Sequence, residues 1–85
     1  MIVRYTTKFY REYKRLPLNI KKQAEKMEKI FRENPFNPIL KTHKLTGKLK
    51  ELWSFSIDYK NRIIFEFASE NTVYFLSVGN HQIYR

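Results

Sequence analysis

The sequence contains no cysteine and only two glycines, Gly47 and Gly79. Without cysteine there can be no disulfide bond, no thiolate metal ligand and no thiol nucleophile. With so few glycines there is no glycine-rich loop of the kind that binds nucleotide phosphates. No apolar run approaches the roughly 20 residues of a membrane span, and the N-terminus does not resemble a signal peptide. These absences predict a cytoplasmic protein that makes no membrane contact and is held together by apolar packing.

Acidic side chains are scarce as well, with 8 Asp and Glu against 17 Lys and Arg and a net charge of +9. Residues 1–50 contain 14 of the basic and 4 of the acidic residues, whereas residues 51–85 contain 3 and 4. A chain of 85 residues is expected to form a single domain, residues 1–85, so the basic half predicts a positive patch on it. Such a patch favours nucleic-acid phosphates, but a solubilising surface, an acidic protein or an anionic membrane would fit the same charge.

Helical periodicity dominates the first half of the chain. The clearest amphipathic pattern has its apolar residues at Ile20, Ala24, Met27 and Phe31. A shorter helix before it carries Phe9, Tyr13 and Leu16 on one side. Thr6 or Thr7 can cap this first helix with a hydroxyl, and Pro17 ends it. Together the two patterns predict a helical hairpin.

Strand signals flank this hairpin. Residues 2–5 are β-prone, residues 53–59 and 62–68 alternate between apolar and polar, and residues 39–52 show neither period and predict a loop. A turn at Glu70-Asn71 would pair Phe67 with Tyr74, Phe65 with Leu76 and Ile63 with Val78. The predicted fold is α+β with the order β-α-α-β-β-β, a helical hairpin packed on one face of a four-stranded antiparallel sheet. The other face should be partly bare and lined by Ser54, Ser56, Arg62 and Glu66.

The side chains that could do chemistry point away from metals. Two histidines and scattered carboxylates offer no ligand cluster with metal spacing, so neither a metal nor another cofactor is expected. His43, Arg62, His81 and Tyr84 could instead move protons and neutralise a phosphate, as RNA cleavage by the ribose 2′-hydroxyl requires. Each also has a structural explanation, such as a surface histidine or an exposed ion pair of Arg62. The residues alone support a basic α+β domain with a role in RNA binding and leave catalysis open.

Three motifs in order along the chain resemble those of the RelE/ParE toxin superfamily. They are Trp53-Ser54-x-x-Ile57, Arg62-Ile63-Ile64-Phe65 and Val78-Gly79-Asn80-His81-x-x-Tyr84. His43-Lys44-Leu45-x-Gly47 also resembles the element that precedes the tryptophan in the YoeB and YafQ branches. The resemblance covers essentially the whole chain. It implies a RelE-like fold, a toxin of a type II toxin-antitoxin system, cleavage of mRNA on the ribosome, and a cognate antitoxin as partner.

The resemblance also implies roles for individual residues. Arg62 matches the arginine that stabilises the scissile phosphate, and His81 matches the histidine proposed as general acid. Tyr84 matches an aromatic residue that stacks on a base or assists proton transfer, and His43 matches a histidine acting as base or phosphate ligand. The basic residues expected to hold RNA are Lys41, Lys44, Lys48, Lys50 and Arg85.

Departures from the family pattern leave the general base open. Ile39 lies near the position of the YoeB-like catalytic glutamate. Ser56 stands where YafQ-like toxins have a second catalytic histidine, and their aspartate falls at about Lys60. His43 is therefore the first candidate for the base, and Lys44 is the second. Two other functions fit the same fold: a ParE-like inhibitor of DNA gyrase, and a catalytically weak module that binds RNA or an antitoxin.

Overall fold

The computed structural model of the chain describes residues 1–49 and 51–80. In this part, two helices and five strands follow one another along the chain. Their bounds are β1 Ile2–Tyr5, α1 Thr7–Lys14, α2 Leu18–Glu33, β2 His43–Lys44, β3 Trp53–Ser56, β4 Arg62–Ser69 and β5 Thr72–Gly79. Short 3-10 turns at Pro38–Leu40 and Gly47–Leu49 flank β2. The α+β class predicted from the sequence is confirmed.

Local sequence signals account for both helices. The side chain of Thr6 accepts a hydrogen bond from the Phe9 N–H at 3.1 Å, so this threonine caps α1 as predicted. Pro17 precedes the first residue of α2, where its missing N–H costs no helical hydrogen bond. The buried residues of α2 are Ala24, Met27 and Phe31, on the predicted stripe. Neither helix is apolar over the length that a bilayer crossing requires, among the residues described.

The sheet differs from the prediction in strand number and direction. It has five strands in the order β1-β5-β4-β3-β2, and β1 runs parallel to β5. The prediction of a four-stranded, wholly antiparallel sheet was therefore wrong. The sequence shows no sign of β2, because two residues are too few for a period to be visible. The direction of β1 has no local cause either, since its partner begins at Thr72, far along the chain.

The β4–β5 hairpin has the predicted tip but a different register. Ile63 pairs with Val78 as expected, whereas Phe65 pairs with Phe75 and Phe67 with Val73. Irregularities in the ladder absorb the difference, one of them at Leu76, which lies between two paired residues of β5. The predicted pairs Phe65–Leu76 and Phe67–Tyr74 were wrong because the bulge adds one residue to β5. The residues of β5 that face the core and those that face away are thereby exchanged. The bulge lets Val73 and Phe75 face the core.

The sheet face away from the helices is less bare than predicted. Ser54 is 0% exposed, and Ser56, Ile64 and Ser77 are also buried. Strict alternation along β3 correctly places the serines opposite Phe55, but it carries no information on how deeply a face is covered. Of the four residues predicted to line an open face, only Arg62 and Glu66 remain partly accessible.

Phe31 lies at the centre of the core between helices and sheet. Its side chain is 0% exposed and stacks on Phe55, with ring centroids 4.8 Å apart. It meets Phe65 edge-on at 4.9 Å and Phe75 edge-on at 5.5 Å. Offset and edge-to-face contacts of this kind add to the free energy gained by burying the rings. The aromatic residues therefore fix α2 on the sheet.

Polar contacts hold the helices at the β1 edge. The Tyr5 hydroxyl donates to the Glu28 carboxylate, which also accepts from Arg32 at 3.1 Å. Burial, and next the bond to Glu28, raise the pKa of Tyr5, so the phenol stays protonated as a donor at neutral pH. Beyond Phe75, where β1 has ended, the Glu12 carboxylate of α1 accepts from the Val78 N–H at 3.2 Å. Beyond the end of β1, helix α1 therefore provides the hydrogen-bond partner along this edge of β5.

Candidate functional site

An open cleft of about 860 Å³ lies where one end of the sheet meets α2. The end of β3, the turn that follows it and the first residue of β4 form one wall, and Met27 of α2 forms part of the other. Ile39 and Lys41, next to the first 3-10 turn, close one side. The cleft is large enough for a ligand of several ring systems.

The charged side chains that line the cleft are mostly cations. Lys26, Lys41, Lys60 and Arg62 face a single carboxylate, Asp58. These cations come from α2, from the segment before β2 and from the β3–β4 hairpin, so only folding brings them together. The described part of the chain groups no three His, Cys, Asp or Glu side chains as a metal site would need. The arrangement favours an anionic ligand.

Arg62 is held in place by the hairpin that carries it. Ser56 and Arg62 are the last cross-strand pair of β3 and β4, so their side chains project from the same face. The Arg62 Nη1 donates to Ser56 Oγ at 2.6 Å and lies 3.5 Å from the carbonyl oxygen of Asp58. These contacts use only one edge of the guanidinium. The remaining N–H groups are available to a phosphate, the ligand whose geometry a guanidinium matches.

Asp58 organises the turn between Ser56 and Arg62. Its Oδ1 accepts from the backbone N–H of Asn61 at 2.7 Å and of Lys60 at 2.9 Å. Partial burial by itself raises the pKa of Asp58, but the hydrogen bonds from Asn61 and Lys60 and the charge of Arg62 outweigh it. The net result is a pKa below the ordinary value, so the carboxylate is ionised at neutral pH. Its hydrogen bonds to Lys60 and Asn61 hold the turn.

His43 lies outside the cleft, on the short strand β2. It pairs with Ser54, which pairs with Ile64, so His43 and Arg62 lie on the same sheet face. Strand spacing puts their Cα atoms roughly 12 Å apart, close enough for both side chains to reach one nucleotide linkage. The His43 Nδ1 is 3.0 Å from the carbonyl oxygen of Lys41. Because a carbonyl oxygen only accepts, Nδ1 must be the donor in this bond, and in the neutral ring the lone pair is then on Nε2.

Lys41 lines the cleft and also contacts His43, and its backbone has an unusual conformation. Its φ of 53° lies in the left-handed region, which costs a residue other than glycine roughly 1–2 kcal/mol. In this conformation Lys41 lines the cleft while its carbonyl oxygen meets the His43 ring. Strained backbone of this kind is often found at functional sites.

The other predicted RNA-binding residues are distributed unevenly. Lys44 is exposed but pairs with Trp53, which puts it on the face opposite His43. Lys48 is exposed on the second 3-10 turn, and neither lysine lines the cleft. Four predicted site residues lie outside the described part of the chain: Lys50, His81, Tyr84 and Arg85. Of the predicted set, the cleft lining therefore includes Lys41 and Arg62.

Among the cleft residues that the sequence did not predict are Lys26, Tyr59 and Lys60. Lys26 lies next to Met27 on α2, and the helical period indicated only that it was polar. Lys60 and Tyr59 are in the β3–β4 turn, where no period exists to give them a direction. For Tyr59 and Lys60, closeness in sequence to Arg62 was a signal that could have identified them.

The sequence matches the model of a known protein family. Residues 5–82 match a family model described as the YoeB-like toxin of bacterial type II toxin-antitoxin systems. No curated protein sequence matches the chain.

Several solved structures share its fold. A YoeB/ParE toxin from Agrobacterium tumefaciens is 18% identical with a TM-score of 0.79, and the match covers 95% of this chain and 99% of that one. YafQ from E. coli strain BL21(DE3) is 15% identical with a TM-score of 0.80, covering 96% and 94%. A chain of the YoeB-YefM complex from Staphylococcus aureus is 19% identical with a TM-score of 0.77, covering 95% and 97%. At these identities the likeness establishes the fold.

Proposed function

The chain belongs to the family of YoeB-like toxins of bacterial type II toxin-antitoxin systems, and on that premise we propose that it cleaves messenger RNA on the ribosome without a metal. The observation that carries the proposal is the cationic cleft in which Ser56 and the Asp58 carbonyl orient Arg62. The proposed reaction takes place in the cytoplasm, where ribosomes and messenger RNA meet.

The proposed reaction is attack by a ribose 2′-hydroxyl on the neighbouring phosphorus. The base removes the hydroxyl proton, an O–P bond forms, and the bond to the 5′-oxygen of the next nucleotide breaks. The acid gives that oxygen a proton, so the products are a 2′,3′-cyclic phosphate and a 5′-hydroxyl. Negative charge grows on the phosphate oxygens in between, where a positioned guanidinium stabilises it most. Only a base, an acid and cations are required.

Residue roles follow from this scheme. Arg62 binds the scissile phosphate, and His43 is the base, which the Nε2 lone pair of the neutral ring and the shared sheet face support. Lys44 is a weaker second candidate for the base because its register puts it on the opposite face. His81 as the acid and Tyr84 as its aromatic neighbour remain predictions from the resemblance. Lys41, Lys48, Lys50 and Arg85 would contact RNA through charge.

An antitoxin is the proposed protein partner. The YoeB of Staphylococcus aureus forms a complex with YefM, and the YafQ of E. coli forms a complex with DinJ. By analogy with these complexes, this toxin would also bind an antitoxin. Because its surface is basic, that partner should be rich in acidic residues.

The test maps the 5′ ends of messenger RNA in a translating extract that contains the protein. Arg62→Ala should lower cutting by about 100-fold or more, as loss of an oriented transition-state donor does. His43→Ala and His81→Ala should each lower it by about 100-fold, the scale of general acid-base catalysis. Arg4→Ala is the matched control, because Arg4 is an exposed arginine on β1 that does not line the cleft.

The outcomes separate the three functions that fit the fold. Codon-phased cuts that disappear with Arg62→Ala support the nuclease. Intact translation together with blocked DNA supercoiling would instead identify a gyrase inhibitor, and no effect in either assay would leave a binding module. Undiminished cutting by Arg62→Ala would contradict the role given to the guanidinium.

A further inference from the structure

Tyr59 presents its ring to solvent at the rim of the cationic cleft. The residue is 88% exposed, more than any other large apolar or aromatic residue in the described part of the chain. Its side chain makes no hydrogen bond or ring contact with another described residue. An isolated exposed aromatic residue is common and needs no explanation by itself. Tyr59, however, lies between Asp58 and Lys60 in the cleft lining, so its ring is close to the charged residues of the cleft.

The backbone beneath the ring is held firmly. Oδ1 of Asp58 accepts from the N–H groups of Lys60 and Asn61 and from the Asn61 side-chain amide at 3.2 Å. The Asn61 carbonyl in turn accepts from the Ile57 N–H at 2.9 Å and the Asp58 N–H at 3.3 Å. The turn thus forms a fixed platform from which the Tyr59 side chain projects into solvent. A ring on a rigid backbone loses little conformational entropy when a ligand covers it, which favours binding.

The charges around the ring indicate the kind of ligand. Lys60 follows Tyr59 directly, and Arg62 lies at the base of the same hairpin. The single carboxylate, Asp58, already accepts N–H groups and faces the Arg62 charge, so its repulsion of an anion is reduced. An exposed ring beside a row of cations is the combination that binds single-stranded nucleic acid, with bases stacked on the ring and phosphates on the cations. A duplex would keep its base faces hidden inside the stack.

We infer that Tyr59 is a base-stacking residue of the cleft: its ring packs on the base of a nucleotide beside the phosphate that Arg62 binds. This inference rests on the proposed nuclease function and adds a positioning residue to it. Stacking fixes the register of the strand, so the ring helps decide which linkage meets Arg62. Because stacking strength grows with the size of the base, a purine should be preferred at this place.

Binding to uncleavable RNA tests the inference. The probes are a short fluorescent 2′-O-methyl oligoadenosine and an oligomer of the same backbone that lacks the bases, and the measurement is fluorescence anisotropy. Wild-type protein should bind the base-bearing probe more tightly. Tyr59→Ala should weaken binding of that probe about 5-fold or more, the lower end of base-aromatic stacking, and leave the abasic probe unchanged. Tyr59→Phe should bind like the wild type, because it keeps the ring.

Two control variants separate stacking from charge and from folding. Tyr10→Ala removes an exposed tyrosine of α1 that does not line the cleft, and it should leave both affinities unchanged. Arg62→Ala should weaken both probes alike, because both carry phosphates. Tyr59→Ala should unfold at the wild-type temperature, since its side chain is almost wholly in water.

The failure of this inference can be told apart from failure of the nuclease function. If the wild type cuts messenger RNA in the extract but Tyr59→Ala binds the base-bearing probe as tightly as the wild type, stacking is refuted and the nuclease stands. Equal weakening of both probes by Tyr59→Ala, or binding of neither probe by an active wild type, refutes it too. A wild type that cuts no messenger RNA overturns the proposed function itself.

Discussion

The contact between Glu12 and β5 provides a sharp test of how the helices are attached to the sheet. The Glu12 Oε1 accepts from Ser77 Oγ at 2.7 Å and from the Val78 N–H at 3.2 Å, beyond the point where β1 stops pairing. Glu12→Ala removes the one acceptor of both hydrogen bonds and leaves the backbone N–H of the buried Val78 without its partner. Hydrogen bonds to a charged group contribute roughly 1.5–3 kcal/mol each, and the half-exposed position of Glu12 favours the low end.

We therefore expect Glu12→Ala to lower the free energy of unfolding by about 2–3 kcal/mol. For a domain of this size that corresponds to a fall in Tm of roughly 10 °C or more. Glu12→Gln keeps an oxygen acceptor without the charge and should lose only about 1 kcal/mol. The assay is urea unfolding followed by circular dichroism, with the m-value checked for constancy.

Glu33→Ala is the matched control, because it removes the same charge from an exposed site on α2. It should change the unfolding free energy by no more than about 0.5 kcal/mol. A double-mutant cycle with Ser77→Ala should reveal coupling between Glu12 and Ser77. Equal midpoints for Glu12→Ala and Glu33→Ala would show that the edge of β5 does not depend on this carboxylate, and the reasoning would fail.

Two further predictions concern the core and the turn. Phe31→Ala should destabilise the protein by roughly 3–5 kcal/mol in the same urea assay, since Phe31 is fully buried among three phenylalanine rings; a loss below about 1 kcal/mol would contradict its central place. The pKa of Asp58 is lower in the folded than in the unfolded state, so its contribution is present above the unfolded value and lost as pH falls through the folded one. Unfolding midpoints should therefore fall less steeply below about pH 4 in Asp58→Asn than in the wild type, and parallel profiles would argue against this role.

The candidate site was predictable in part. Arg62 and Lys41 were identified from motif and charge, and both line the cleft. Lys26 was not, because it is far from Arg62 in sequence, and Tyr59 and Lys60 were not, because a turn has no period that would give its side chains a direction. The predicted open sheet face was also replaced by a cleft at the sheet's end, since Ser54 and Ser56 are buried. How deeply a side chain lies depends on what packs over it.

The sequence by itself determined the features whose causes are local. The cap at Thr6, the apolar stripe that ends at Phe31 and the hairpin tip before Thr72 each depend on residues a few positions apart, and the structure has all three. Only the tertiary structure decided the parallel pairing of β1 with β5, the bulge at Leu76 and the meeting of cations from three segments. These features join residues that are distant in sequence. Their free energy comes from packing and pairing that exist only once the chain has folded, so no local pattern records them.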